Sequence, residues 1–290
     1  MSSELVRGLI DAGVHFGHRA NRWNPKMSKY IFGKRNSIHI VDIRETVKGL
    51  LRAKKFVSAV VSQGHDVLIV GTKRQARDSV GKQAARVGMP YVNERWLGGT
   101  LTNFKTIRSR LNRLEELEML WSTGKIEEYS KKQRSVLERE KEKITRNLQG
   151  IRTMTKLPGA LFVVDVKREY IAIKEARKLN IPTVCLVDTD SDPDAADILI
   201  PGNDDAMRAI EIVVAQLADA IDEGKRSRPA KGDTGEGPAD GGPGRPRRSR
   251  RLSTSEAAER EAGQLETADS PTAGMMPRED VPAPTEATPA

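Results

Sequence analysis

The stretch from Pro158 to Asp190 constrains this chain more than any other. Ala160-Leu-Phe-Val-Val-Asp165 is an apolar run too short for a helix. Lys167 to Leu179 carries Ile171, Ile173, Ala176 and Leu179 at close to helical spacing. Thr183-Val-Cys-Leu-Val-Asp188 is a second apolar run, introduced by Ile181-Pro182. Strand, helix and strand in so short a span make a βαβ unit. Both strands are apolar throughout, as strands covered on both faces of a parallel sheet are. Each ends in an acid, Asp165 or Asp188, at the carboxyl-end crevice where α/β sheets take ligands. That crevice reads equally as a ligand site or as a plain sheet edge.

The same logic extends along the chain. Ser37 to Val41 reads as a strand, and Asp42 with Glu45 resembles a capping box that opens a helix to about Ser62. Val47, Leu50, Leu51, Val57 and Val61 form its apolar face. Asp66 to Val70 is a further strand, running through Gly71-Thr72-Lys73-Arg74 into a helix that ends near Val87. Pro90 to Val92 is a short third strand. With residues 160–165 and 183–188, the pattern predicts five parallel strands, and Asp197 to Pro201 can add one more. Ser2 or Ser3 can cap a first helix through about Ala12, with Leu5, Leu9 and Ile10 on one face. Asn203 caps a last helix with Ile210, Val213, Val214, Leu217 and Ile221 as its stripe, and Asp204 and Asp205 suit its dipole. Residues 1–102 and 151–224 therefore form one discontinuous α/β domain.

Between them the period changes. Asn103 to Trp121 and Ile126 to Gln149 are long, charged helical patterns joined by the turn Ser122-Thr-Gly-Lys125. Ile107, Leu111, Leu114 and Trp121 on one, and Leu137, Ile144, Leu148 and Ile151 on the other, form narrow stripes. Such stripes suit an antiparallel coiled-coil hairpin that protrudes from the sheet domain and docks on a partner. From Lys225 the chain is rich in Gly, Pro, Arg, Ser and Ala, a composition too poor in large apolar groups to fold, so 225–290 reads as a disordered tail. Its cluster Arg245 to Arg251 is basic.

Charge narrows the partner. The formal charge is +9, yet the residues from Lys225 onward hold 11 basic and 11 acidic side chains. The whole excess thus sits on the folded body, which suits a polyanion. Residues 19–37 hold six basic residues (Arg19, Arg22, Lys26, Lys29, Lys34, Arg35) and no acid, with Trp23, Tyr30 and Phe32 interleaved. Cations neutralise phosphates and aromatic planes stack on bases, so this irregular segment points to RNA. The plainer alternative is a solvated loop with aromatics tucked inward. Gly71-Thr72-Lys73 can bind an anion at a helix start or be a simple βα turn, but G-x-x-x-x-G-K-[ST] and G-x-G-x-x-G are both absent.

Catalysis and metal binding are the rival classes. His15, His18, His39 and Asp188 can form a His/Asp metal site or be satisfied structural histidines. The acidic run Asp188 to Asp194 lacks the Gly and Glu of a calcium loop. There is no G-x-S-x-G elbow, and Cys185 lies in an apolar strand, as a buried thiol would. One cysteine excludes a disulfide framework and suits a reducing compartment. No apolar run is long enough to span a bilayer, and MSSELVRGLIDAG does not read as a signal peptide.

LIDAGVHFGHRANRWNPKMSKYIFGKRNSIHIVDI, VGTKRQA, NERWLGGTLTNF and PGALFVVDVKREYIAIKEARKLNIPTVCLVDTDSDP, in that order within residues 9–193, resemble the bacterial small-subunit ribosomal protein S-two family. The resemblance runs over about residues 3–224. It implies a three-layer α/β/α sandwich, flavodoxin- or Rossmann-like, with a protruding helical hairpin. It also implies no enzymatic activity, no cofactor and no resident metal. The implied partners are 16S ribosomal RNA, which the family binds between head and body of the small subunit, and neighbouring ribosomal proteins including S-one. DNA and membranes are not among them, and the implied location is the cytoplasmic ribosome. Arg19, Asn21, Arg22, Trp23, Asn24, Lys26 and Lys29 match the family's N-terminal basic motif and are the first candidates for RNA contact. Lys73, Arg74, Arg95, Thr100, Asn103 and Lys105 match its second motifs, and Arg108, Arg110 and Arg113 on the hairpin follow. A nucleotide-binding enzyme using the Asp165/Asp188 crevice, and an RNA-binding regulator acting off the ribosome, are the competing expectations.

Overall fold

The computed structural model describes residues 3–228. The chain opens with α1 (Ser3–Asp11) and a strand β1 (Phe16–Arg19). Two short 3₁₀ turns lead to β2 (Ile31–Arg35), β3 (Ile38–Val41) and the long helix α2 (Ile43–Ser62). Then follow β4 (Val67–Val70), α3 (Arg77–Arg86) and β5 (Tyr91–Val92). The helices α4 (Phe104–Ser122) and α5 (Lys131–Leu148) come next. The chain returns through β6 (Ala160–Val164), α6 (Tyr170–Lys178), β7 (Thr183–Val187), β8 (Ile198–Pro201) and α7 (Met207–Arg226).

Five strands form the parallel sheet, in the order β5-β4-β6-β7-β8. The βαβ unit read from Pro158 to Asp190 is its centre, with Leu161 opposite Thr183 and Val163 opposite Cys185. The five expected strands are not all the right ones. Ile38–Val41 belongs instead to a small antiparallel sheet of order β1-β3-β2, and β8 takes its place at the edge of the parallel sheet. Asn36 and Ser37 explain the difference. Both have positive φ (49° and 64°), which makes the two-residue turn of a β-hairpin between β2 and β3.

The parallel strands carry apolar residues at every position because both faces are covered. Val67, Ile69, Ala160, Phe162, Val164, Val184, Leu186 and Ile200 face a layer built from α2, α3 and α7. Leu68, Val70, Leu161, Val163, Cys185 and Val187 face the opposite layer, formed by α6 and the basal parts of α4 and α5. Burying each such Leu, Ile, Val or Phe stabilises the fold by about 1.5–3 kcal/mol. Gly49 lets α2 lie directly on β8, because a Cβ there would meet the Leu199 carbonyl.

Several local expectations change. Leu51 on α2 and Ile10 on α1 are exposed rather than buried. Asp42 caps α2 by accepting from the Arg44 N–H, whereas Glu45 pairs with Lys48 at 2.6 Å instead of closing a capping box. The box lies elsewhere. α5 starts at Lys131, not Ile126, because Ser130 and Gln133 cap it reciprocally. Gly124, with φ of 72°, ends the preceding turn, and Ile126 is buried in a short 3₁₀ segment. Asn203 accepts from the N–H groups of Asp205 and Ala206, one turn ahead of α7. α7 itself runs to Arg226, past the expected start of the tail, and residues 229–290 lie outside the described residues. No helix among the described residues is long and apolar enough to cross a membrane.

Candidate nucleic-acid interface

The N-terminal basic segment is held at both ends by main-chain bonds. Ala20 N–H donates to the Ser37 carbonyl (2.9 Å) and Asn24 N–H to the Thr189 carbonyl (2.8 Å). The Asn24 side chain accepts from the Lys26 N–H (3.0 Å) and so starts the 3₁₀ turn Pro25–Tyr30. Met27, fully buried, plugs that turn into the core cluster that also holds Trp96 and Leu101. With the backbone pinned, Arg19, Asn21, Arg22, Trp23, Lys26 and Lys29 point outward and Asn24 is half-buried. Arg19, Arg22, Lys29, Lys34 and Arg35 pair with no carboxylate of the described residues, whereas Lys26 is held by Asp192 (3.1 Å) and Asp194 (2.7 Å). The aromatics divide: Tyr30 packs against the core, Phe32 is 80% exposed, and Trp23 lies over His39.

The second group sits on the loop before α4. Glu175 on α6 organises it. One carboxylate oxygen accepts from the Trp96 indole N–H (3.1 Å) and Gly99 N–H (2.8 Å). The other accepts from the N–H groups of Leu101 and Thr102 (both 3.0 Å) and the Thr102 hydroxyl (3.1 Å). Burial would raise its pKa, but these donors outweigh burial and hold it below the ordinary glutamate value. Gly99 has φ of 90°, which allows the chain to turn its N–H toward the carboxylate. Arg95, Asn103 and Lys105 are thereby presented to solvent, whereas Thr100 is buried and donates to the Leu97 carbonyl. On the hairpin, Arg110 is exposed. Arg108 donates to the carbonyls of Arg152 and Met154, and Arg113 pairs with Glu116 (3.0 Å) and Glu140 (3.6 Å). Met27, Trp96 and Leu101 share one core cluster, so the two basic segments lie on the same side of the sheet.

The carboxyl-end crevice is filled by ion pairs. Lys73 lies among Asp165 (3.3 Å), Asp204 (2.8 Å) and Asp205 (2.6 Å) and is largely buried, while Arg74 beside it is exposed. Burial opposes the Lys73 charge, yet its three carboxylates keep its pKa above the ordinary lysine value. His18 Nδ1 meets Asp188 at 2.8 Å and Nε2 meets Asp205 at 3.2 Å. The bond to Asp188 leads in raising the His18 pKa to about 9. Burial, then repulsion from Asp165 and Asp188, pushes Asp204 up to about 7 despite Lys73, because carboxylates outnumber cations here. Ligand-type atoms of His18, Asp188 and Asp204 lie within 4.8 Å of one another, a spacing a divalent cation could bridge. The Lys73 ammonium already touches one of them. His15 Nδ1 and both nitrogens of His39 are buried with no partner among the described residues, so these two are not satisfied structural histidines.

Sequence reading did not find Glu175, nor Asp204 and Asp205 as partners of the crevice. An acid at position 175, between the buried Ala172 and Ala176, was the available signal.

Comparison with known proteins agrees with this architecture. Residues 9–224 match the family model for ribosomal protein S2. The chain is 59% identical to the small ribosomal subunit protein uS2 of Rhodopirellula baltica over 225 residues, covering 78% of this chain and 86% of that one. It is 51% identical to uS2 of Acidothermus cellulolyticus over 231 residues, 79% of this chain and 84% of the relative. The uS2 of Geotalea uraniireducens is 50% identical over 231 residues, with coverages of 80% and 90%. Fold, outward cations and these matches define the class: a structural constituent of the small ribosomal subunit, located on the bacterial cytoplasmic ribosome. Within that class, the chain belongs to the ribosomal protein S2 family. Its relatives carry the names of ribosomal proteins, not of enzymes.

Proposed function

We propose that this protein binds 16S ribosomal RNA, ties head and body of the small subunit together, and supports docking of ribosomal protein S-one. The observation that carries the RNA reading is the set of outward cations Arg19, Arg22, Lys29, Lys34 and Arg35. They sit on a pinned backbone and pair with no acid of the described residues. Arg74, Arg95, Lys105 and Arg110 extend the same chemistry to the βα turn, the Glu175 loop and the hairpin. Asn21, Trp23 and Asn24 add hydrogen-bonding and stacking groups, and Asn103 does so at the foot of α4. Lys26, Lys73, Thr100, Arg108 and Arg113 hold the fold that presents them. Phosphate contacts at separate elements fix a protein on folded RNA without reading sequence. The hairpin, as a coiled coil protruding from the sheet domain, supplies the reach for a second RNA element.

Sedimentation of lysate through a sucrose gradient at low and high salt tests the assembly. Co-migration with small subunits that survives moderate salt is expected, and migration only as free protein would overturn the reading. Replacing Arg19, Arg22 and Lys29 with Ala should shallow the salt dependence of RNA binding by about 0.7–0.9 per lost phosphate contact. An unchanged slope would remove this segment from the interface.

A further inference from the structure

His39 presents an anomaly beneath the basic segment. Both of its ring nitrogens are buried and neither has a hydrogen-bond partner among the described residues. A buried polar atom left unpaired destabilises the fold, and native proteins rarely keep one. The ring that covers His39 is Trp23, at 5.1 Å between centroids and 38° between planes. Trp23 is itself 37% exposed. One side of the indole therefore rests on His39, and the rest of it meets solvent.

The surroundings are those of a nucleotide rather than of an apolar partner. Arg19, Asn21 and Arg22 precede Trp23 in the chain and are exposed, and neither arginine pairs with a carboxylate of the described residues. Lys34, also exposed and unpaired there, is the cross-strand partner of His39. The backbone that carries the indole is pinned before use: the Ala20 N–H bonds to the Ser37 carbonyl on one side of it and the Asn24 N–H to the Thr189 carbonyl on the other. A rigid aromatic platform loses little conformational freedom on binding.

We propose that Trp23, backed by His39, is a stacking site for one unpaired RNA base. This rests on the RNA-binding reading above and adds the kind of RNA recognised: single-stranded, not duplex. The base stacks on the open part of the indole, and Arg19, Arg22 and Lys34 hold its flanking phosphates. His39, whose two nitrogens stay sealed beneath the indole, backs the platform on the side away from the base.

The test uses the full chain with a short fluorescein-labelled RNA single strand and the duplex of the same sequence, titrated over a range of salt. Stacking on one aromatic is worth about 1–3 kcal/mol per base, so Trp23→Ala should weaken single-strand binding roughly 5- to 150-fold. It should leave duplex binding and the salt slope unchanged, since no phosphate contact is lost. Trp23→Phe should recover most of the loss. Equal loss on both RNAs, no loss, or a changed slope overturns the site, while the cation variants still test RNA binding on their own. Loss confined to binding of small-subunit proteins would put a protein on this platform instead and also overturn it. Should Trp23→Ala fail to fold, tryptophan emission decides. RNA-dependent quenching present in the wild type and absent from Trp23→Phe, which keeps Trp96 and Trp121, supports stacking, and quenching retained in that variant refutes it. Binding of neither RNA by the wild type defeats both readings.

Discussion

At the scale of single residues, His18 joins the two sheets. It lies on β1, while Asp188 ends β7 and Asp205 precedes α7. Its folded pKa of about 9 lies above the ordinary 6.5, with Asp188 as the leading cause and Asp190 and Asp204 adding to it. A group whose pKa is raised on folding stabilises fully below its unfolded value and loses that contribution as pH rises through its folded value. His18 should thus contribute up to about 3 kcal/mol below pH 6.5, fading by about pH 9. Asp204, raised from 3.8 to about 7, favours the folded state while protonated, so its contribution fades between those values. The two windows separate the residues. In urea unfolding across pH, His18→Gln should flatten the alkaline decline and leave the acidic one. An alkaline slope as steep as the wild type's would show that His18 is not the titrating group. The sequence placed His18 and Asp188 as candidates for proximity but could not supply Asp204 and Asp205. Their positions looked like dipole-favouring acids at a helix start, and only the loop before α7 turns them toward Lys73.

At the scale of elements, the βαβ centre was legible and its accessories less so. Strands buried on both faces leave an uninterrupted apolar run, and α6 leaves a helical period. The strand Ile38–Val41 is also short and mostly apolar, broken only by His39, so length and composition did not separate antiparallel from parallel. The discriminating signal was Asn36-Ser37, a pair that takes positive φ where a hairpin needs it. The loop before α4 was recognised by its residues, yet its anchor was hidden because Glu175 reads as one more charge on an amphipathic helix. That anchor accepts from five donors: the main-chain N–H groups of Gly99, Leu101 and Thr102, the Trp96 indole N–H and the Thr102 hydroxyl, shared between its two oxygens. Glu175→Gln keeps the size and replaces one acceptor with an NH₂ that faces N–H groups. The variant should lose about 3 kcal/mol in urea unfolding, and the amides of Gly99, Leu101 and Thr102 should exchange faster with solvent. Stability within a few tenths of the wild type would show that the loop holds itself without the carboxylate.

At the scale of the molecule, the question is whether the helical insertion is an appendage or part of the core. The narrow stripes of the sequence suggested an arm with little core of its own. The packing divides that arm in two. Ile107, Leu111, Leu114 and Leu117 of α4, with Ile144 and Leu148 of α5 and Ile151 beyond it, share a cluster with Leu68, Leu161 and Val163 of the sheet. Arg152 reinforces the base by pairing with Glu118 at 2.6 Å. Farther out, Met119, Tyr129 and Val136 are exposed. The basal half therefore forms one of the sheet's two covering layers together with α6, and removing it would strip part of the cover from Leu161 and Val163. Excising residues 103–150 and closing the gap with a glycine linker should abolish cooperative unfolding, because each large core side chain removed costs about 2–5 kcal/mol and domains hold only about 5–15 in total. Joining Glu118 to Glu140 through a short linker removes the outer half alone and should leave a cooperative melt by circular dichroism. If the full excision melts as sharply as the wild type, the hairpin is a separable arm. If the short version also fails, the outer half stabilises the sheet as well, and the division at Glu118 is wrong.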